Sequence, residues 1–383
     1  MKCKKLINLL DENSEQYNLI VTLNLNPEKT VFLYEFNDHN KEEFSRVKEY
    51  LGEKLPSTEI LEECIEEVNS ENIENILNNI RDEGTFVNLS SGKGIINLLT
   101  YRIAEKMEMK SVYIDIENEC ILDLSYGKCE KLDIVIKDMD VEDFIEITGG
   151  EIISHSTKWF NNDNIKRFIE YIISNYDSWE KFKKILSSVS SAEENDYINQ
   201  KSVISITEAN KEERVEYNRL LDKFQQFDFF NYEYEGKDKI ILNFKGLETK
   251  TLFLKTGTWL EILVYNIVKE IKEVDDIKSG VVFLWDGEER HVRNEIDVLA
   301  SINSKLIYIS CKDTSKYGIE ALNELEVYGA QIGGEEVRKI LVATKEPCKR
   351  SIILRAKEMG IDIVIFHGNI RDLKKELERI ILS

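Results

Sequence analysis

The sequence predicts an α/β protein made of two α/β units joined by a helical and hairpin connector. Strand-length apolar runs alternate with helix-periodic runs over the first 150 residues, the signature of a parallel α/β unit. After residue 252 the order changes to helix, three strands, helix, strand. At 383 residues the chain exceeds one ordinary domain. The expected division is 1–150, a connector over 151–245, and 246–383.

The elements are read in order from periodicity. Residues 4–10 form a strand, 17–25 a short helix and 29–36 the next strand. Residues 42–51 and 71–81 read as helices, and the acidic run 59–67 as a helix with a solvated face. Residues 85–89 are a buried strand, 94–107 a helix and 111–116 a strand, followed by hairpin or edge structure at 120–124 and 131–136. In the connector, 161–174, 179–187 and 211–227 are helical, 187–195 is a polar hinge, and 229–234 with 239–244 form a hairpin around Gly236. The last unit has a helix at 258–271 and strands at 280–285, 295–300 and 305–311. It continues with a helix at 319–332, a strand at 338–344, a helix at 351–359, a strand at 362–366 and a helix at 370–381.

Composition excludes several classes. An apolar fraction of 42% with 9% aromatics supplies well-filled cores and argues against disorder. No window approaches the roughly 20 apolar residues of a membrane span, so no membrane partner is expected. The basic start Met1-Lys-Cys-Lys-Lys5 leads into a short apolar run ending at Asp11-Glu12, which reads as a first strand and not as a signal peptide. The 6 cysteines are scattered without a CxxC pair, the pattern of free thiols in a reducing cytoplasm. A net charge of −21 excludes a general polyanion-coating surface, so nucleic acid would have to enter a local groove.

Chemistry concentrates near the carboxyl terminus. In Leu306-Ile-Tyr-Ile-Ser-Cys-Lys-Asp313, alternation puts Leu306, Tyr308, Ser310 and Lys312 on one strand face, and Ile307, Ile309 and Cys311 on the other. In Asn294-Glu-Ile-Asp-Val298, Asp297 is in phase with Glu295 and Leu299. An Asp and a Lys inside apolar strands are costly unless paired or bound to a metal. Glu261 lies on a helix whose Leu260, Leu263, Val264 and Ile267 form a packing face. Such carboxylates suit Mg²⁺ or Mn²⁺ through hard oxygen ligands, and a lysine beside them can stabilise developing negative charge. Spacing alone equally suits a buried Asp297–Lys312 ion pair with Glu261 exposed.

A second constellation lies near the amino terminus. The strand at 85–89 feeds Asn88-Leu-Ser-Ser-Gly-Lys-Gly94 and then a helix. A small-residue turn at a helix start offers backbone N–H groups to an anion. The GxxxxGK[ST] spacing is absent, which argues against a P-loop NTPase. A second polar turn, 11–16, follows the first strand, and both turns emerge at the carboxyl edge of a parallel sheet, where such folds bind ligands. Ordinary helix capping by Ser90 or Ser91 is the alternative.

Taken together, Trp259-Leu-Glu261, Asn294-Glu-Ile-Asp-Val298 and Ile309-Ser-Cys-Lys312 resemble the PD-(D/E)xK restriction-endonuclease superfamily. With Asp275-Asp-Ile277, Gly333-Gly334 and the Asn88–Gly94 turn, the chain resembles the CARF-domain nucleases of type III CRISPR systems. The resemblance implies a Rossmann-like CARF sensor domain, a helical/hairpin connector and a restriction-endonuclease-like α/β domain. It implies a cytoplasmic homodimer that binds cyclic oligoadenylate, with cyclic tetra-adenylate the expected ring, and a metal-dependent endonuclease that cleaves or nicks DNA and/or RNA with low sequence specificity in antiviral defence. By carry-over, Glu261, Asp297 and Lys312 take catalytic positions, Cys311 offers its carbonyl to a metal held by Asp297 and Glu261, and Ser14, Gln16, Asn88, Ser90, Ser91, Gly92 and Lys93 are activator contacts. Ser310 stands where the superfamily places a second acid, with Glu295, Asp313 and Glu324 as open candidates to replace it. The rival readings are a constitutive restriction or repair nuclease and a non-catalytic sensor with a decayed site.

Other residues weigh less. His39, His155, His291 and His367 are isolated; Arg290, His291 and Arg293 enter the Asp297 strand and suit a substrate phosphate. Lys349, Arg350 and Arg355 suit a solvated helix face, and Trp285, Tyr308 and Tyr317 suit core packing before base stacking.

Overall fold

The computed structural model describes residues 2–11, 15–193, 200–255, 257–284 and 293–383, with only the backbone at 187–193 and 335. Ser14, Trp285, Arg290 and His291 therefore lie outside the described residues. The amino-terminal unit runs β1 (Lys5–Leu9), α1 (Glu15–Leu25), β2 (Lys29–Glu35), α2 (Asp38–Lys54), β3 (Glu59–Ile65), α3 (Ser70–Ile80), β4 (Thr85–Asn88), α4 (Gly94–Lys106), β5 (Lys110–Asp115), β6 (Cys120–Asp123), β7 (Glu130–Lys131) and α5 (Val141–Glu146). Its sheet has the order β3-β2-β1-β4-β5-β6-β7, parallel from β3 to β5 and antiparallel beyond. Strand order reverses between β1 and β4, so the crevice at their carboxyl ends is the topological switch point of the unit.

A second set of elements follows: β8 (Glu151–Ser154), α6 (Thr157–Phe160), α7 (Asp163–Ser174), α8 (Tyr176–Glu193), β9 (Lys201–Ser205), α9 (Lys211–Gln226), β10 (Phe230–Glu235) and β11 (Lys239–Phe244). Strands β9 to β11 form an antiparallel three-stranded sheet, and the tip of the β10–β11 hairpin uses Gly236 at a φ of 70°. The last set is α10 (Leu247–Leu254), α11 (Thr258–Lys269), β12 (Asp276–Leu284), β13 (Arg293–Ile302), β14 (Lys305–Lys312), α12 (Ile319–Gly333), β15 (Arg338–Ala343), α13 (Arg350–Glu358), β16 (Ile361–Ile365) and α14 (Ile370–Ile381). Its sheet has the order β16-β15-β14-β13-β12-β8, so β8 completes an edge. The expected α/β class is the one observed, with a Rossmann-like, largely parallel sheet in the amino-terminal part and a mixed sheet in the carboxyl-terminal part.

Two local expectations are overturned. The acidic run 59–67 is not a helix; residues 59–65 pair in parallel with β2 from Lys29↔Glu59 to Glu35↔Ile65. Tyr34 donates to the Glu62 carboxylate, and the exposed acids decorate a sheet edge, where charge discourages pairing with another chain. Residues 187–193 are not a hinge but the last turns of α8, because Trp179, Phe182 and Leu186 anchor that helix in an aromatic core with Phe168, Phe224 and Phe253. Residues 194–195 lie outside the described residues.

The two outer units share a core. One apolar cluster runs from Phe32, Phe44 and Val47 through Phe144 and Ile145 of α5 to Val281, Phe283, Leu299 and Tyr308. Polar contacts follow it: Tyr50 and Lys54 of α2 donate to Asp143 at 2.8 and 2.7 Å, Asp276 accepts from the Val141 N–H at 3.2 Å, and Ser304 donates to Asp138 at 3.0 Å. The other face of the carboxyl-terminal sheet packs on α11, α14 and the connector aromatics.

A buried amide network sits beneath the switch point. Asn8 donates to Thr22 and Thr30, both at 2.9 Å, and accepts from Asn88 at 2.9 Å; Asn88 also donates to Asn18 at 3.1 Å. All three asparagines are fully buried. Because each group has a partner, the network fixes β1 against β4 at modest net energy, while a truncation leaves buried groups unsatisfied. Asn8→Ala is expected to cost about 2–4 kcal/mol in equilibrium urea denaturation; a loss below about 1 kcal/mol would contradict this role for the network.

Candidate active site

Strands β13 and β14 pair from Ile302↔Lys305 to Val298↔Ile309, and β14 then continues beside β15 as far as Lys312↔Ala343. On the other side of β13, the register passes from Ser279↔Val298 to Val281↔Ile296, so Gly280, at a φ of 53°, falls opposite Asp297. Asp297 therefore stands where regular pairing lapses on both flanks. Its carboxylate fills the gap: Oδ2 accepts from the Cys311 N–H at 2.6 Å and from the Ser310 hydroxyl at 3.3 Å. The expected alternation holds, with Tyr308 and Leu306 in one core and Ile307, Ile309 and Cys311 in the other.

Helix α11 brings Glu261 to the same place. Trp259, Leu260, Ile262, Leu263 and Val264 are all buried, which leaves Glu261 as the acid carried into the sheet by an otherwise apolar turn. Burial and the neighbouring Asp297 push the Glu261 carboxyl up to about 8. Burial also raises Asp297, against the opposing pull of Lys312 and the Cys311 N–H. Cys311 is buried, and burial followed by the Asp297 charge raises its thiol, so its backbone and not its sulfur is available to the site. Ser310 thus contacts Asp297, and the charge of Lys312 acts on both Asp297 and Glu261.

Two of the three candidates to replace the missing acid are otherwise engaged. Glu295 is exposed and pairs with Lys255 at 3.2 Å. Asp313 accepts from the Trp259 indole at 2.7 Å, from Thr344 at 2.8 Å and from Lys183 at 2.5 Å. Glu324 lies exposed on α12, with its charge felt by Tyr308. Lys255 was not expected. Burial works against its charge, but Glu295, Glu261 and Asp297 outweigh it and raise its pKa, so a second ammonium faces the carboxyls. It follows α10, a helix the periodicity did not show, and nothing in its own sequence context marks it.

The remaining candidates are placed elsewhere. Asp275 and Asp276 lie at the far end of β12 and fasten it to Asn303 and α5. Tyr308 and Tyr317 are buried, and the Tyr317 hydroxyl donates to the Lys345 carbonyl. Among the described residues no three His, Cys, Asp or Glu side chains gather as a metal cage. The donor set nevertheless fits a hard cation, because a half-buried Glu261 carboxyl raised by the Asp297 charge beside it is relieved by one. Ser310 and the Cys311 carbonyl add neutral oxygens.

At the switch point, Gly92 has a φ of 101°, and a Cβ there would meet the Leu9 Cβ at 2.7 Å; glycine alone lets the turn lie on β1. Helix α4 begins without a side-chain cap, so its first N–H groups face the crevice unspent by capping. Lys93 pairs with Glu35. Ser90 donates to Asn88 and accepts from the Ile114 N–H at 2.8 Å, which ties the turn to β5. Asn88, Gln16 and Ser91 are buried, so the turn exposes chiefly Gly92, Lys93 and its backbone. No described helix is long and apolar enough to cross a membrane.

Residues 248–382 match the family model "Card1-like, endonuclease domain". Protein VC1899 from Vibrio cholerae is 21% identical with a TM-score of 0.79, covering 98% of this chain and 97% of its own. Can2 from Sulfobacillus thermosulfidooxidans, solved with cyclic tetra-adenylate, is 16% identical with a TM-score of 0.75, covering 100% and 98%. A type III CRISPR defence DNA nuclease activated by cyclic oligoadenylate is 13% identical with a TM-score of 0.55; the match covers 99% of this chain and 52% of that one. No curated protein matches the chain in sequence. Residues 248–382 are thus similar to a Card1-like endonuclease domain, on a chain that shares the fold of VC1899 and Can2 over its whole length.

Proposed function

We propose that this chain is a metal-dependent nuclease of type III CRISPR defence, activated by cyclic oligoadenylate and working as a homodimer on DNA and RNA with low sequence specificity. The observation that carries the reading is the convergence of Glu261, Asp297 and Lys312 at the parting of β13 and β14. Glu261, Asp297 and the Cys311 carbonyl would hold Mg²⁺ or Mn²⁺, with Ser310 supplying a weaker neutral oxygen in place of an acid. When bound, such an ion polarises a phosphodiester and makes a hydroxide-like water available near neutral pH. Lys312 stabilises charge on the attacked phosphate, Lys255 draws the polyanion to an otherwise acidic protein, and Asp297 is aimed by its bond from the Cys311 N–H.

The activator belongs at the switch point between β1 and β4, where Gly92, Lys93 and the uncapped start of α4 present donors to its phosphates. Cyclic tetra-adenylate suits a two-fold axis, and α4 offers exposed Ile95 and Leu98 beside the turn as surface for a second copy. The activator can shift the nuclease only by binding one arrangement of the dimer better than another.

The test incubates the chain with single- and double-stranded DNA and RNA, Mg²⁺ or Mn²⁺, with and without cyclic tetra-adenylate. Activator-dependent cleavage is expected, reduced at least about 100-fold by Lys312→Ala or Asp297→Asn. Cleavage that survives Lys312→Ala would sink the site assignment. Cleavage indifferent to the activator would favour a constitutive nuclease, and binding without cleavage in Mn²⁺ a decayed site.

A pH experiment checks the carboxyls separately. Glu261 is raised in the folded state, so its contribution to stability is complete below about 4.5 and is lost as pH climbs through about 8. In EDTA the melting temperature is expected to fall from pH 5 to 8.5, with a shallower fall in Glu261→Gln. Equal slopes in the two proteins would refute the raised pKa.

A further inference from the structure

We propose that Lys183 on connector helix α8 and Asp313 form a positioning pair that sets the geometry of Lys312 for the reaction. This rests on the nuclease reading above. Asp313 follows Lys312 directly, and its side chain is 3% exposed, that of Lys183 8%. Its two carboxylate oxygens gather three donors from three elements. Oδ2 takes the Trp259 indole N–H, two residues before Glu261, at 2.7 Å and Lys183 Nζ at 2.5 Å. Oδ1 takes the Thr344 hydroxyl, just past β15, at 2.8 Å. Lys183 also lies 4.8 Å from the centre of the Trp259 ring and pairs with Glu180 of its own helix.

The arrangement ties both catalytic elements to one point. Trp259 fixes the first turn of α11, and with it Glu261. The Asp313 backbone fixes the end of β14, and with it Lys312. A buried ion pair is a poor source of stability, since desolvation offsets its attraction; its firmer use is to make one geometry much better than its neighbours. Here the charge that balances Asp313 comes from outside the endonuclease domain, on a helix of the connector. Asp313 therefore works through Lys312 and Glu261 and does not touch the reacting atoms. With every oxygen engaged, it is not the acid that Ser310 lacks.

The test compares Lys183→Met, Lys183→Arg, Asp313→Asn and the double variant Lys183→Met/Asp313→Asn, in full-length protein with cyclic tetra-adenylate and Mn²⁺. Lys183→Met is expected to lower kcat at least tenfold with KM for the oligonucleotide within twofold. Lys183→Arg, which keeps the charge, should stay within threefold of the parent. The double variant should exceed Lys183→Met in kcat, because it no longer buries an unpaired carboxylate. Unchanged kcat per folded molecule in Lys183→Met, or a double variant no better than the single, overturns the proposal. If Lys183→Met fails to fold, the near-isosteric Asp313→Asn carries the same test, with at least a fivefold loss of kcat expected.

Amide hydrogen exchange separates this proposal from the reading beneath it. A parent chain that binds activator and metal but cleaves nothing refutes the nuclease reading. Exchange at residues 310–313 still decides the positioning role. At least tenfold faster exchange there in Lys183→Met or Asp313→Asn, with β16 unchanged, supports it. Unchanged exchange, or acceleration across β16 as well, overturns it.

Discussion

The carboxyls of Glu261 and Asp297 are carried into one half-buried place by elements that have strong reasons of their own to be there. Helix α11 is committed by the apolar residues around Glu261, and β13 by Ile296, Val298 and Leu299. Neither acid can leave without unpacking its element. Burial pushes both carboxyls up, helped at Glu261 by the Asp297 charge and at Asp297 by the Glu295 charge, and Lys312, Lys255 and the Cys311 N–H are the groups on hand to oppose that cost. A site in that state is short of positive charge, and on the proposed reading this one constraint is what a bound cation would relieve, with two acids instead of three.

That constraint also gives Ser310 a defined place. At 3.3 Å from Asp297 Oδ2, its hydroxyl donates weakly to the acid, while the stronger Cys311 N–H bond at 2.6 Å does the aiming. The substitution therefore leaves the aiming of Asp297 intact and removes one negative charge from a crowded spot. Such a site would hold metal less tightly than a three-acid site, while repelling the substrate phosphate less.

Much of this was legible in the sequence, for reasons that particular residues show. Alternation along 305–312 placed Ser310 and Lys312 together because a strand has only two faces. The turn at 88–94 was legible because Gly92 is needed where the backbone lies against Leu9. What escaped depended on partners remote in sequence. Run 59–65 has the charge pattern of a solvated helix, and only its place at the edge of β2 makes it a strand. Asn88 reads as a ligand contact, yet Asn8 and Asn18, some 70 to 80 residues away, claim its amide. Lys255 and Asp313 carry no motif at all; their roles exist only once α10, α8 and α11 are packed.

The shared core bears on how activation would work. Helix α5 is bonded to α2 through Tyr50, Lys54 and Asp143 and to β12 through Asp276, while β8 extends the endonuclease sheet itself. The apolar cluster passes through the same elements without a break. A packed core is not continuously deformable, so large hinge motion between the amino-terminal and carboxyl-terminal sheets would have to break this joint. On the proposed reading, the cheaper motion is a rigid turn of one chain against the other about the activator, carrying each endonuclease domain as a block. The contact that such a turn can still adjust locally is the one that does not belong to the block's sheet: the α8 side of the Asp313 pair, where connector and Lys312 strand meet.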